Sequence, residues 1–516
     1  MSRLKNFSRN VTTSYLQLGV NVVYSLVSVP LILHWLSKSE FGLWAVLVQL
    51  MSYIGLVDLG INQAIARFLV DHKDRRGEGE YGALVKTSAL VSSIQGLIVL
   101  AVVTLGSPLL AAMMKIPAEY QKTFVDLMRI QGLIAAFTFC TNPLGIMLYA
   151  HQRMDIVNRV SIFGMVASLG LLVLFLVEAC GIYSFIYANA ITAAISPVYL
   201  FWQCRRLGFL PHAGEWGNVS WRQFKEVFLY GKDVFMMNVG IQLITASQVI
   251  IVSYVLGLEA AAAWTVGTRV FLLMRQLVFQ PINAASAGLC EMLTRNETEW
   301  LRHRFKNLVV LTASLGAYLG VAFALCNSLF VNVWTDGKIT WLPLNDVLLG
   351  LWIFIASIQT THTSFLFITK QIGGMRYVYF VEGCTFVTLS LLAGFRWGLP
   401  GIIACSMLCL MFFSCQSGLR RSGRYFQMPF SELAVDWIRP SLKFAAALTP
   451  MAFVTWFATA GLPVLWRLAI HVVVAGAVGG FLLLRIGLPS DIIREAGSRL
   501  PRPAARLLAM LVPCKV

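Results

Sequence analysis

Long apolar stretches recur along the whole chain and are separated by short polar interruptions. A membrane-spanning helix needs about 20 predominantly apolar residues, and about 14 such stretches can be laid down, at 11–36, 42–70, 83–107, 124–150, 157–178, 182–204, 234–256, 262–290, 307–333, 344–369, 377–395, 399–418, 442–460 and 464–486. The first follows a basic start, Arg3, Lys5 and Arg9. It is too long for a signal-peptide core and lacks a small-residue cleavage site, so it is expected to stay as the first span. The pattern predicts an all-α integral membrane protein of about 14 transmembrane helices.

An internal repeat organises these spans. A shift of 220 positions brings Leu36 onto Leu256, Trp44 onto Trp264, Lys86 onto Lys306, Gly96 onto Gly316, Asp126 onto Asp346 and Thr141 onto Thr361. A shift of 215 places Arg205, Arg206 and Gly208 on Arg420, Arg421 and Gly423. A repeat of six helices keeps both copies in one orientation, so the halves are expected to be two parallel-repeat bundles. The expected organisation is a six-helix bundle over 1–208, a cytoplasmic linker over 209–232, a second bundle over 233–423, a connector over 424–441, two extra helices over 442–486 and a basic tail over 487–516. Within the linker, Ser220 and Gln223 resemble a capping box that opens an amphipathic helix bearing Trp221, Phe224 and Phe228. Two bundles that meet at a midline are the architecture of a carrier.

Charge fixes the orientation. The chain has 41 Lys and Arg against 24 Asp and Glu, a formal net charge of +17, while only 13% of residues are charged and 58% are apolar. Of the 41 cations, 31 lie in one alternate set of loops and tails and six in the other (Lys38, Lys115, Lys122, Lys338, Arg396 and Arg467). Cytoplasmic loops retain Lys and Arg, so both termini are expected in the cytoplasm. Basicity here is topology and contact with anionic lipid, and no nucleic acid is needed to explain it. The ten cysteines lie almost entirely in apolar segments without metal-ligand spacing.

Four cations remain inside spans: Arg67, Arg129, Arg269 and Arg275. An intramembrane cation is a functional candidate by default. At 100° per residue, Thr265, Arg269, Gln276, Gln280 and Asn283 fall within about 60° of one another on the eighth span. The second span carries Gln49, Tyr53, Gly60, Gln63 and Arg67 on one face, the first Gln17, Asn21, Tyr24 and Ser28, and the seventh Asn238, Gln242 and Thr245. Lipid cannot satisfy these groups, so they are expected to face a wet central cavity, with helix–helix contact as the alternative. Guanidinium and amide groups suit an anionic ligand. Asp58 and Glu382 are candidates for charge pairing or coupling; Asp58 lies about 180° around a straight helix from Arg67. Arg275 is about 120° from the Arg269 stripe and meets a neighbouring helix or the headgroups, and Arg129 near a span end can snorkel. Gly476 and Gly480 read as a close-packing pair of the last span.

The segment from Phe41, FGLWAVLVQLMSYIGLVDLGINQAIARFLV, resembles the second-helix signature of polysaccharide flippases, the O-antigen and lipid-linked oligosaccharide exporters. These belong with multidrug-and-toxin extruders and peptidoglycan-precursor flippases in the multidrug/oligosaccharidyl-lipid/polysaccharide exporter superfamily. The resemblance is best over Met1 to Gly208, recurs more weakly over Tyr230 to Gly423, and is diffuse afterwards. It implies movement of an undecaprenyl-diphosphate-linked oligosaccharide across a bacterial inner membrane by alternating access, for surface polysaccharides such as lipopolysaccharide O-antigen or exopolysaccharide. In peptidoglycan-precursor flippases the extra pair of helices forms a groove for the lipid tail. An arginine near the start of helix eight contacts substrate in such relatives, and Arg269 stands at that position; Gln17 and Asn21 replace first-helix arginines. The expected substrate contacts are Arg269 and Arg67 for the diphosphate, with Arg275, Gln276, Gln49, Gln17, Asn21, Gln242 and Gln280 around the head group. No enzyme activity, cofactor or metal is expected, with Na⁺ or H⁺ as candidate coupling ions. Membrane lipids and other polysaccharide-assembly membrane proteins are the candidate partners. A cation-coupled multidrug antiporter would need cavity carboxylates, which are limited to Asp58 and Glu382. A membrane enzyme would need a large, chemically equipped outer loop, and all the outer loops are short.

Overall fold

Fourteen apolar stretches demand helices, because only a helix or a closed barrel satisfies its backbone in lipid. The computed structural model describes residues 3–58, 79–151, 153–212, 214–218, 235–369 and 373–499, together with isolated positions between them. No strand occurs among the described residues. The chain forms two units, Met1–Ala262 and Ala263–Val516. Arg67 and the linker positions Trp221, Phe224 and Phe228 lie outside the described residues.

The first unit holds α1 (Arg3–Trp35), α2 (Lys38–Ile54), α3 (Glu80–Met113), α4 (Ala118–Ala150), α5 (Met154–Val177), α6 (Tyr183–Arg206) and α7 (Phe235–Leu256), and α8 (Leu258–Gly267) begins in it. α2 opens on a complete capping box, in which Ser37 and Glu40 exchange side-chain and main-chain hydrogen bonds. It then tightens into a 3₁₀ turn at Gly55–Asp58. Gln95 of α3, nearly fully buried, donates to the carbonyls of Val57 (2.9 Å) and Asp58 (3.2 Å). A side chain from the neighbouring helix thus binds carbonyls of the 3₁₀ turn. The expected span over 42–70 leaves α-helical winding at Gly55–Asp58. After α6, residues 209–212 and 214–218 fold back on this unit: Tyr81 donates to the Phe209 carbonyl and Lys86 to that of Gly217, both at 2.9 Å.

The second unit holds α9 (Arg269–Thr294), α10 (Thr298–Trp334), α11 (Pro343–Ile368), α12 (Met375–Leu410), α13 (Gln416–Phe426), α14 (Arg439–Ala458), a span α15 (Val464–Gly487) and α16 (Ser490–Arg499). α10 and α11 approach closely where Gly320 and Gly350 face each other: a Cβ on either would come within about 2.5 Å of the other's carbonyl oxygen. Small residues of this kind let membrane helices pack backbone to backbone. Gly316, one turn away on α10, lies against Ser357.

Among the described residues 12 helical segments are long and apolar enough to cross a membrane. One of them, Met375–Phe426, has 52 residues. Straight, it would run about 78 Å, against a hydrocarbon core of about 30 Å. It folds at Gly398, whose φ of 62° and ψ of −144° no helix contains. Met375 meets Ser417 at 3.5 Å, and Glu382 meets Ser414 at 3.1 Å, so the arms before and after Gly398 are antiparallel and constitute the eleventh and twelfth spans. α8 and α9, in the stretch of the eighth span, fall outside the twelve: α8 has only 10 residues, and α9 carries Arg269 and Arg275 with Gln276, Gln280 and Asn283. Counted this way, the protein is an all-α multi-pass membrane protein whose helices match the predicted stretches.

The last two spans pack on α10. Ser314 and Ser441, both fully buried, pair at 2.9 Å, and buried His471 contacts the Leu325 carbonyl through Nδ1 at 2.9 Å. Here the glycine reading is corrected. Nothing lies within 4 Å of a Cβ built at Gly476 or Gly480, whereas one at Gly479 comes within 2.9 Å of the Tyr318 ring. The cause is a π turn over Ala475–Gly479. Its wider winding breaks the four-residue spacing on which the motif depends.

Candidate functional site

Three helices of the first unit each turn a small, polar face to a common cavity. On α4 these are Thr138, Thr141, Asn142 and Gly145; on α5 Val157, Val160, Ser161 and Gly164; on α6 Asn189, Thr192, Ser196 and neighbours. Each set follows the three-and-four spacing of one helix face. The cavity encloses about 350 Å³, within the range of small-molecule sites. Its lining contains no ionisable side chain.

Hydrogen bonding gives this cavity a definite character. Thr138 donates to the Ile134 carbonyl at 2.9 Å, Thr141 to that of Phe137 at 3.1 Å, Thr192 to that of Ala188 at 3.0 Å and Ser196 to that of Thr192 at 2.7 Å. Each hydroxyl spends its proton on its own helix and keeps lone pairs to offer. Asn189 donates to Gln131 at 3.2 Å, which leaves its carbonyl oxygen as an acceptor. The Asn142 amide and the Ser161 hydroxyl make no side-chain hydrogen bond to other described residues. The polar part of the lining is therefore rich in acceptors, with a few groups able to do both, set among the apolar Val157, Val160, Ala193, Pro197 and Leu200. It suits a neutral ligand that carries many O–H donors and rejects an acceptor-only anion.

The residues singled out from the sequence are distributed differently. In the first unit Gln17 and Asn21 are half-buried on α1. Gln49 donates to Ser52 of its own helix at 3.3 Å. Gln242 donates to the Ser52 carbonyl at 3.1 Å, and Tyr53 hydrogen-bonds Ser247, so α2 and α7 are stitched together by the polar faces read from the sequence. Asp58 accepts from the main-chain N–H of Asn62 at 3.2 Å. Arg129 is exposed near the start of α4.

In the second unit the helical ladder of the eighth span loosens at Thr268, between α8 and α9, although Thr268 still donates to the Trp264 carbonyl and accepts from the Leu272 N–H. Two residues of the same unit pack against this junction. A Cβ on Gly267 would come within 2.3 Å of the Trp341 ring, and Asn327 donates to the Gly267 carbonyl at 3.0 Å. Asn327 and Trp341 also both donate to the buried Asp346 carboxylate, at 2.7 and 2.6 Å. Arg269 is the first residue of α9 and is half-buried; Gln276 and Asn283 are exposed and Gln280 half-buried. Arg275 turns into its own unit: its guanidinium lies over Phe271 at 5.8 Å and over Trp352 of α11 at 6.0 Å. Of the two placements read from the sequence, the neighbouring helix is the one found. Glu382 is nearly fully buried and accepts from the main-chain N–H of Ser414.

The cavity of α4, α5 and α6 was missed because its polar residues are Thr, Ser and Asn, none of which costs enough in a bilayer to mark itself. The spacing of Thr138, Thr141, Asn142 and Gly145, with that of Asn189, Thr192 and Ser196, was the available signal.

Solved structures share this fold. Lipid II flippase MurJ in an inward closed conformation superposes with a TM-score of 0.67 over 92% of this chain and 98% of that one, at 13% identity. A multidrug resistance MATE family transporter of the MOP superfamily, inward-facing, gives 0.66 over 80% and 95%, at 12% identity. A MOP superfamily transporter from Pyrococcus furiosus, described as having a binding pocket of reverse polarity, gives 0.56 over 84% and 96%, also at 12%. No curated protein matches the sequence. Residues 34–341, more than half of the chain, match the family described as polysaccharide biosynthesis protein. The chain belongs to that family, as a multi-pass membrane protein with the fold of the flippase and the transporters named above.

Proposed function

We propose that this protein is a flippase that moves an undecaprenyl-diphosphate-linked oligosaccharide from the cytoplasmic to the outer leaflet of the bacterial inner membrane by alternating access, for surface polysaccharide biosynthesis. Both termini are then cytoplasmic, as the distribution of cations indicates. The protein acts as a carrier and not as an enzyme, and Na⁺ or H⁺ is its coupling ion. The observation that carries the reading is the acceptor-rich, charge-free cavity of α4, α5 and α6. Sugar hydroxyls are neutral donors, and such a lining recognises them without the carboxylates that a carrier of cationic drugs needs. The family match supports a polysaccharide-building role, and the fold shared with a lipid II flippase supports a lipid-linked substrate. Arg269 and Arg67 stay assigned to the diphosphate on the chemistry of the guanidinium alone.

Deleting the gene tests this directly. The expected result is accumulation of a lipid-linked oligosaccharide on the inner leaflet. Loss of drug efflux without that accumulation would replace the reading with a cation-coupled antiporter.

A further inference from the structure

A second cavity, of about 310 Å³, lies in the second unit where the twelfth span ends. Its floor is apolar, formed by Val378 of one hairpin arm and by Phe412 and Phe413 of the other. Its rim is Arg420, Arg421 and Arg424 of α13, with Gln416 and Ser417 between floor and rim. Spacings of three and four residues put all five polar side chains on one face of α13. The π turn over Met411–Cys415 directly precedes them and sets that face against the apolar floor.

Three guanidiniums in one small cavity repel one another, and none has a carboxylate within 4.0 Å among the described residues. Two are held in place by neutral groups. Arg421 donates to the carbonyls of Gly373 and Gln371. Arg420 lies over the Phe430 ring at 5.9 Å and donates to the Gln416 side-chain oxygen at 3.1 Å once that amide is oriented to satisfy both its ends. Neither arrangement neutralises charge. Arg424, in the last turn of the helix, is exposed. The preference of a helix C-terminus for cations accounts for one such residue but not for three around an apolar floor.

We infer that this cavity binds the phosphate headgroup of an anionic membrane lipid, with the start of its acyl chains on Phe412, Phe413 and Val378. The apolar floor decides for a lipid-borne phosphate over a free one. Phe412 is 60% exposed, and Tyr377, Val381 and Leu408 on the same two arms are also exposed apolar residues, so the floor continues into a lipid-facing surface. The inference goes beyond the proposed transport activity and stands whether or not that activity is confirmed.

The test uses the full-length protein in nanodiscs of phosphatidylcholine containing a minor fraction of photoactivatable phosphatidylglycerol. Adducts are expected on the peptide that contains Phe412 and Phe413 and on the one that contains Val378. Arg420→Gln with Arg424→Gln is expected to weaken retention of phosphatidylglycerol by about fivefold per arginine. Arg205→Gln with Arg206→Gln, which removes the same charge from the end of α6, should leave those adducts unchanged. Arg421 is kept because it holds the turn before α12. If the double variant fails to insert, the wild-type adduct map decides alone. Adducts spread over other basic ends with none on these segments, equal labelling by photoactivatable phosphatidylcholine, or full protection by inorganic phosphate would overturn the inference.

Discussion

Glu382 and Ser414 stand 32 positions apart, yet the carboxylate of one accepts the main-chain N–H of the other at 3.1 Å, with Gly398 midway between them. This bond joins two antiparallel spans towards the end of the hairpin opposite Gly398. The amide it uses belongs to the π turn at Met411–Cys415; a regular helix interior commits such an amide to its own ladder. The hairpin therefore depends on a glycine at its tip and a carboxylate near its open end.

Gly398→Ala should destabilise the protein by about 1–3 kcal/mol, the usual cost of forcing a side chain into a glycine-only conformation. Thermal unfolding in detergent measures it. Arg396→Cys, beside the tip, should be labelled by an impermeant thiol reagent from the side opposite to the termini, as two separate spans require.

Gly479 and Gly476 make a paired test of how the last spans dock. Gly479→Leu is expected to cost about 1–3 kcal/mol by overpacking against Tyr318 and to expose α14 and α15 to protease. Gly476→Leu should be neutral on both counts.

Arg275 stabilises through the faces of two aromatic rings, so Arg275→Ala should cost about 2 kcal/mol. Arg275→Lys keeps the charge but loses the planar stack and should recover only part of that stability in the same unfolding measurement. Full recovery would mean that charge alone matters.

The helix after the last span has a pH-dependent attachment. His303 at 2.8 Å and Asn307 at 3.2 Å contact the Asp491 carboxylate and hold it below the usual carboxylate range. A depressed folded-state value means that the stabilisation is fully present above the ordinary Asp value of about 3.9 and is lost as pH falls through the folded value. Hydrogen exchange over 490–499 should stay constant near neutral pH and rise at acidic pH, and Asp491→Asn should show the raised exchange already at neutral pH.

Most of the fold could be read in the sequence, because twenty apolar residues in a row admit few structures. The irregular turns could not. The 3₁₀ turn after α2 is bound by Gln95, 37 residues away from Asp58, and the turn before Arg269 is packed by Trp341 and Asn327. These are tertiary partners that no periodicity reveals. Charged residues announced themselves, and two of them, Arg275 and Glu382, proved to hold helices together within their unit. The hydroxyl-lined cavity stayed silent because Ser and Thr are inexpensive in a bilayer and bond their own helix.

The central claim is that the uncharged cavity reads sugar. The most direct measurement is translocation in proteoliposomes, comparing a polyprenyl-diphosphate oligosaccharide with the same lipid lacking sugar, in wild type and in Asn142→Leu with Ser161→Val. Wild type should move the oligosaccharide lipid, and the double variant should slow it by about tenfold or more without changing movement of the sugarless lipid. Equal rates for the oligosaccharide lipid in both proteins, or no translocation by wild type, would contradict the account.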